Sequence, residues 1–141
     1  MSTDVTTCGF MNIRRIARLV GQFYDQRLAV SGHTTSQFIL LAALEKMGPT
    51  ALTPLADFLE MDRTTLTRNL KILQTQGLVA TSKGDDARVR LISLTADGEN
   101  ILELTYPAWE AAHAAFLERL GPGVWPHLLD QLNTLADRIR P

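Results

Sequence analysis

Between Arg63 and Lys71 the chain sets out Arg63, Thr64, Thr65, Thr67, Arg68, Asn69 and Lys71 around two leucines. Hydroxyl, amide and cationic groups stand here with no carboxylate among them. That mixture can donate to phosphate oxygens and to the edges of bases. It is poorly suited to nucleophilic or acid–base catalysis, because no base, nucleophile elbow or paired acid accompanies it. Leu66, Leu70 and Leu73 recur at i, i+4, i+7, so the polar groups form the outer face of an amphipathic helix and the leucines its buried stripe. Asp62 is placed to cap that helix, and its charge suits the positive helix end.

The elements around this helix follow from punctuation. Thr53 with Pro54 reads as the start of a shorter helix carrying Leu55, Ala56 and Leu59, which breaks at Glu60 and Met61. The whole stretch from Leu52 to Gln76 is then two helices joined by a tight turn, the second a reader of duplex DNA. Gly77 is placed to end the reader helix in a left-handed conformation. Leu78 to Ser82 and Val89 to Leu94 are strand-like and flank the polar run Lys83, Gly84, Asp85, Asp86, Ala87, Arg88, which predicts a hairpin wing. Ile92 and Leu94 share one face of it by period two.

Upstream, Phe10, Ile13, Ala17, Val20, Tyr24 and Leu28 give an amphipathic first helix with Arg14, Arg15, Arg18 and Asp25 on its other side. A turn at Ser31 to Thr34 precedes a second helix capped by Thr35 or Ser36. It runs to about Lys46, apolar nearly all round, and stops at Gly48 and Pro49. Downstream, Thr95 opens a long helix with Gly98 in its first turn, where a side chain would be too large, and with Pro107 inside it. Gly121, Pro122 and Gly123 end that helix. A last one carries Leu128, Leu132, Leu135 and Ile139.

The chain has 141 residues, 45% of them hydrophobic, and a net charge of −1. That is enough apolar material for one globular unit with its own core. From Arg63 to Arg90 there are six cations and two anions, a local +4 on a remainder of −5. A basic segment on an acidic body steers a polyanion to one face. The run of apolar residues needed to span a bilayer is missing, and the first ten residues lack the pattern of a signal peptide, so no membrane partner and a cytoplasmic location are expected. Cys8 stands alone and His33, His113 and His127 are scattered. No metal site and no cofactor are expected.

Phe10, Val20, Trp109, Phe116, Trp125, Leu128, Leu132 and Ile139 lie at the two ends of the chain, beyond the needs of a small winged core. A two-fold homodimer through the terminal helices would cover them and present two reader helices to adjacent turns of major groove, roughly 34 Å apart. The fold expected is mainly α with a small β-hairpin wing. Residues 31–95 would be the winged helix-turn-helix, and residues 1–30 with 96–141 the dimerisation helices of one continuous unit.

The segments GHTTSQFILLAAL, LADFLEMDRTTLTRNLKILQTQGLV and, after the wing, LISLTADG resemble the MarR family of bacterial transcription regulators in order and spacing. The resemblance runs from about Ile13 to Leu104. It implies a homodimeric, winged helix-turn-helix regulator of a pseudo-palindromic double-stranded DNA operator. Such proteins commonly repress genes near their own and leave DNA on binding a small aromatic or anionic effector, or on cysteine oxidation. Carried onto this chain, it makes Thr64, Thr65, Thr67 and Arg68 groove and phosphate contacts, with Arg63 and Lys71 beside them. In the wing the family usually shows two aspartates followed by two arginines. Here the run is Asp85, Asp86, Ala87, Arg88, so one arginine is missing. Arg88 becomes the minor-groove finger, Asp86 holds its guanidinium by a bidentate pair, and Lys83 and Arg90 stand beside it.

Two regulatory readings accompany the resemblance. A ligand pocket between the winged part and the dimerisation helices would draw on Arg18, Tyr24, His33, Gln37, Phe38 and Trp109; the same residues also suit a packed joint. Cys8, just before the first helix, matches a redox-sensing cysteine of some members, with Tyr24 and Tyr106 as neighbours, although it sits about half a helical turn upstream of that position. A lone reduced cysteine is otherwise an inert small hydrophobe. An effector-independent architectural DNA binder and a protein-interaction module on the same scaffold are the alternatives.

Overall fold

The computed structural model describes residues 4–141. In chain order these form α1 (Gly9–Leu28), α2 (Thr35–Met47), α3 (Leu52–Leu59), α4 (Arg63–Thr75), β1 (Val79–Lys83), β2 (Arg90–Leu94), α5 (Ala96–Leu120) and α6 (Val124–Ile139). Short 3-10 turns precede α1 at Val5–Thr7 and follow it at Ala29–Ser31. No helix among the described residues is long and apolar enough to cross a membrane.

The helix boundaries differ from the sequence expectation in two instructive places. Helix α2 is capped by Thr34, not by Thr35 or Ser36. The Thr34 hydroxyl oxygen accepts from the Gln37 backbone N–H, and the Gln37 side-chain oxygen accepts from the Thr34 N–H, so two orphan donors are satisfied reciprocally. Helix α3 begins after Ala51 with no side-chain cap, which leaves Thr53 and Pro54 inside its first turn. Proline is tolerated there because a first-turn N–H has no intrahelical acceptor.

Two compact units result. One comprises residues 28–108, and the other the residues up to Arg27 together with Trp109–Pro141. The first is wider than the span 31–95 read from the sequence, because the start of α5 belongs to it. Its core is made by Leu28, Phe38, Leu40, Leu41 and Leu44, by Leu55 and Ala56, by Leu66, Leu70 and Leu73, and by Leu78, Val79, Ile92 and Leu102. Each fully buried leucine among them stabilises by about 1.5–3 kcal/mol.

In this unit β1 and β2 pair antiparallel, Val79 opposite Leu94 and Lys83 opposite Arg90. The hairpin is pinned by a third extended residue that the sequence pattern did not reveal. Thr50, buried between α2 and α3, donates its N–H to the Ile92 carbonyl at 3.0 Å and accepts from the Ile92 N–H at 2.7 Å.

The other unit holds α1, the second half of α5 and α6. An aromatic cluster forms its centre. Trp109 stacks on His113 with centroids 5.4 Å apart, Tyr24 bonds His113 Nδ1 at 2.9 Å, and Phe116 meets Trp125 edge-on at 5.2 Å. Trp109, Phe116 and Trp125 therefore have partners within the chain, contrary to expectation. Phe10, Leu132 and Ile139 remain exposed, and Ile13, Ile16, Leu19, Leu129 and Leu135 join them.

The end of α4 and the start of α5 meet in one junction. Gly77, at φ 74°, lets its N–H donate to the Gln74 carbonyl and the Leu78 N–H to the Leu73 carbonyl, both at 3.0 Å. Thr95 then donates its hydroxyl to the Gly77 carbonyl at 2.6 Å and its N–H to the Leu78 carbonyl at 3.1 Å, while its hydroxyl oxygen accepts from the Gly98 N–H. A Cβ on Gly98 would overlap the Leu78 carbonyl oxygen, which is backbone and cannot rotate away. Gly98→Ala is expected to destabilise the protein by about 1–3 kcal/mol or more, read as a lower urea midpoint.

Candidate nucleic-acid interface

The buried stripe Leu66, Leu70 and Leu73 fixes which side of α4 faces outward. On that side Arg63, Thr64, Thr67, Arg68 and Lys71 are exposed, with Thr65 and Asn69 half-buried at its edges. Helix α3 packs against α4, and α4 against β1, so the outward face is held from both sides. The turn between α3 and α4 is made by Glu60 in a left-handed conformation at φ 51°.

Asp62 caps α4 as expected. Its Oδ1 accepts from the Thr65 N–H at 2.8 Å and its Oδ2 from the Thr65 hydroxyl at 2.7 Å. These bonds, above all that from the hydroxyl, hold the carboxyl below the usual aspartate range, with a smaller contribution from the charge of Arg68. The Thr65 hydroxyl proton is therefore already engaged.

The wing presents its cations differently from the sequence reading. Arg88 is almost fully exposed, and its Nε lies 3.7 Å from Asp86 Oδ1, a single long contact in place of the expected bidentate pair. The Asp86 carboxylate instead accepts from the Arg88 backbone N–H at 3.0 Å, and the Asp86 carbonyl from the Val89 N–H at 2.9 Å. Asp86 is thus the turn-forming residue of the tip. Lys83 and Arg90 sit directly opposite each other across the hairpin. Like charges so placed repel, and an anion between them relieves that repulsion.

The six residues read as a ligand site divide between the units, with Arg18, Tyr24 and Trp109 in one and His33, Gln37 and Phe38 in the other. Several already have work in the fold. Gln37 completes the α2 cap, His33 Nδ1 donates to the Ser31 carbonyl at 3.0 Å, and Phe38 is buried edge-on to Tyr106. Tyr24 bonds His113, and its burial raises its phenol pKa. Arg18 is exposed. An open groove of about 720 Å³ in the winged unit uses none of the six. Leu44, Glu45, Gly48, Pro49, Ser93, Leu94, Glu99, Glu103 and Tyr106 line it, and its three carboxylates disfavour an anionic occupant. No pattern of spacing marks this groove in the sequence, since its wall comes from three separate elements. Cys8 is exposed and immediately precedes α1, where its carbonyl accepts from the Asn12 N–H.

A helix-turn-helix with an exposed cationic and hydroxyl face, followed by a hairpin tipped with arginine, defines a winged-helix module of the DNA-binding type. Comparison with known proteins narrows the class. A sequence profile described as the MarR family matches residues 31–88. YwoH of Bacillus subtilis, an uncharacterised HTH-type transcriptional regulator, is 31% identical over 91 residues, which are 64% of this chain and 66% of that protein. The structure of the Mycobacterium tuberculosis transcriptional regulator MosR in complex with DNA superposes with a TM-score of 0.83 at 36% identity, covering 93% of this chain and 95% of that one. PcaV of Streptomyces coelicolor, solved with its natural ligand, shares the fold with a TM-score of 0.85 at 19% identity, over 99% of each chain. The chain belongs to the MarR family, whose members are DNA-binding transcriptional regulators and not enzymes.

The Asp62 cap has a pH consequence. The folded carboxyl titrates below its unfolded value of about 3.9, so its stabilisation is fully present above that value and is lost as pH falls through the lower folded one. Asp62→Asn still caps but cannot titrate. Between about pH 5 and pH 2 the wild type is expected to lose more stability than Asp62→Asn, measured by thermal unfolding of both proteins.

Proposed function

We propose that this protein is a homodimeric repressor that binds a pseudo-palindromic duplex operator through α4 and its wing. It would act in the cytoplasm and be released by a small aromatic or anionic effector or by oxidation. The carrying observation is the outer face of α4, where Arg63, Thr64, Thr67, Arg68 and Lys71 are exposed on a helix whose opposite side is locked by buried leucines. In this reading Thr64 and Thr67 face base edges, while Arg63, Arg68 and Lys71 meet phosphates. Arg88 enters a narrow minor groove, with Lys83 and Arg90 on the flanking backbone and Asp86 shaping the tip. The MosR complex supports DNA as the partner, since that protein is 36% identical over nearly the whole chain.

Dimerisation is supported by the exposed apolar residues of α1 and α6. Phe10 is 73% and Ile139 70% exposed, and contiguous faces of this kind ordinarily find an external partner. A two-fold dimer places two copies of α4 on successive turns of one duplex. Exposed Cys8 ahead of α1 supports an oxidative signal, and exposed Arg18 on α1 an anionic one.

Gel-shift titration against the gene's own upstream DNA tests the proposal. A retarded band at low salt, with two protein chains per site, is expected; its absence would leave a protein-interaction module. Arg68→Ala is expected to weaken binding to all sequences about equally and to lower the salt slope by roughly one. Peroxide is expected to release the wild-type complex and not that of Cys8→Ser, whereas equal release of both would remove Cys8 from the mechanism. Insensitivity to peroxide and to small aromatic acids alike would indicate an architectural binder.

A further inference from the structure

The N-cap of α4 carries one group at odds with a surface built to meet phosphates, the Asp62 carboxylate. A helix N-terminus attracts anions, because its first N–H groups lack intrahelical partners and the helix dipole is positive there. In this chain Asp62 fills that position with its own charge. It also accepts the proton of the Thr65 hydroxyl at 2.7 Å and the Thr65 N–H at 2.8 Å. A threonine hydroxyl carries a single proton, so Thr65 has none left to donate to a base or a phosphate. The neighbouring hydroxyls of Thr64 and Thr67 have exposed positions.

We propose that Asp62 is a positioning residue for sequence discrimination. Its carboxylate closes the N-terminus of α4 to DNA phosphates and withdraws the Thr65 hydroxyl as a donor to bases, which leaves hydroxyl-donor discrimination to Thr64 and Thr67. This rests on the reading of α4 as the DNA-entering helix. A reader helix with an open N-terminus would gain affinity for any backbone it met, and that gain would be shared equally by correct and incorrect sites. The carboxylate removes the indiscriminate part and keeps the part that depends on the groove.

Asp62→Asn isolates the effect, because asparagine caps as well as aspartate and its amide oxygen can accept from the Thr65 N–H, yet it carries no charge and returns the hydroxyl proton. Asp62→Ser is a second neutral cap should the first variant fold poorly. Fluorescence anisotropy on the full chain would compare a duplex selected by the wild type from a random pool with a random-sequence duplex of equal length, across salt concentrations. Both variants are expected to bind the random duplex about tenfold more tightly, with a salt slope steeper by about one, so that the ratio of selected to random affinity falls by a similar factor. Thr65→Val is expected to leave that ratio within about twofold of the wild type, since the hydroxyl has no proton to offer a base. An unchanged ratio and slope in the neutral-cap variants would overturn the inference while the DNA-binding reading stands. A collapse of the ratio in Thr65→Val would overturn it equally. Wild-type protein that retards neither duplex at low salt would overturn both.

Discussion

The junction of Gly77 and Leu78 with Thr95 and Gly98 is the constraint on which the winged unit depends. Helix α4 must end where the hairpin begins, and its last carbonyls would be orphaned if it simply stopped. The left-handed Gly77 returns the chain so that Leu73 and Gln74 receive donors from Leu78 and Gly77. Thr95 then satisfies the carbonyls of Gly77 and Leu78 from the far end of the hairpin. Because Gly98 has no Cβ, the backbone of α5 approaches the Leu78 carbonyl closely enough for this to happen. The end of α4, the start of the hairpin and the start of α5 thus share one set of hydrogen bonds. The orientation of α4 is thereby tied to that of β1, β2 and the first turn of α5.

The charged surface follows from this frame. Buried leucines turn the arginines, lysine and threonines of α4 outward, and the pairing of β1 with β2 sets Lys83 against Arg90 at the outer end of the wing. Such like-charge pairing costs stability in the free protein. It is retained here in the segment that carries the positive charge of an otherwise acidic chain. Asp62 works in the opposite sense at the start of α4, where its carboxylate caps the helix and also engages the Thr65 hydroxyl.

The second unit is organised by aromatic contact. His113 is held between Trp109 on one face and the Tyr24 hydroxyl at Nδ1, and Phe116 joins this group to Trp125 on α6. These contacts occupy the inner sides of α1, α5 and α6, and the outer apolar residues of α1 and α6 face solvent in the single chain. Two apolar surfaces on one helix have different fates when only one of them has a partner within the same chain.

Local chemistry made most of the elements legible in the sequence. Period and punctuation place the helices, Asp62 as a cap, Gly77 as a left-handed stop and the hairpin, because each is signalled by residues close together in the chain. Where Thr34 and Thr35 offer the same hydroxyl, the choice of cap was decided by Gln37, whose side chain reaches back to only one of them. Long-range pairings were not legible. The bond of Thr50 to Ile92, the membership of early α5 in the winged unit, the internal partners of Phe116 and Trp125, and the acidic groove around Tyr106 all join residues distant in sequence. The state of the Asp86 and Arg88 side chains belongs with them, since an exposed arginine gains little from a solvated carboxylate while a turn N–H gains a needed acceptor. Composition and spacing determined by themselves which residues could meet DNA, because an amphipathic helix has only one outward face. Tertiary packing decided how that face is held and which of its hydroxyls retain a proton to offer, because those depend on partners that only folding brings within bonding distance.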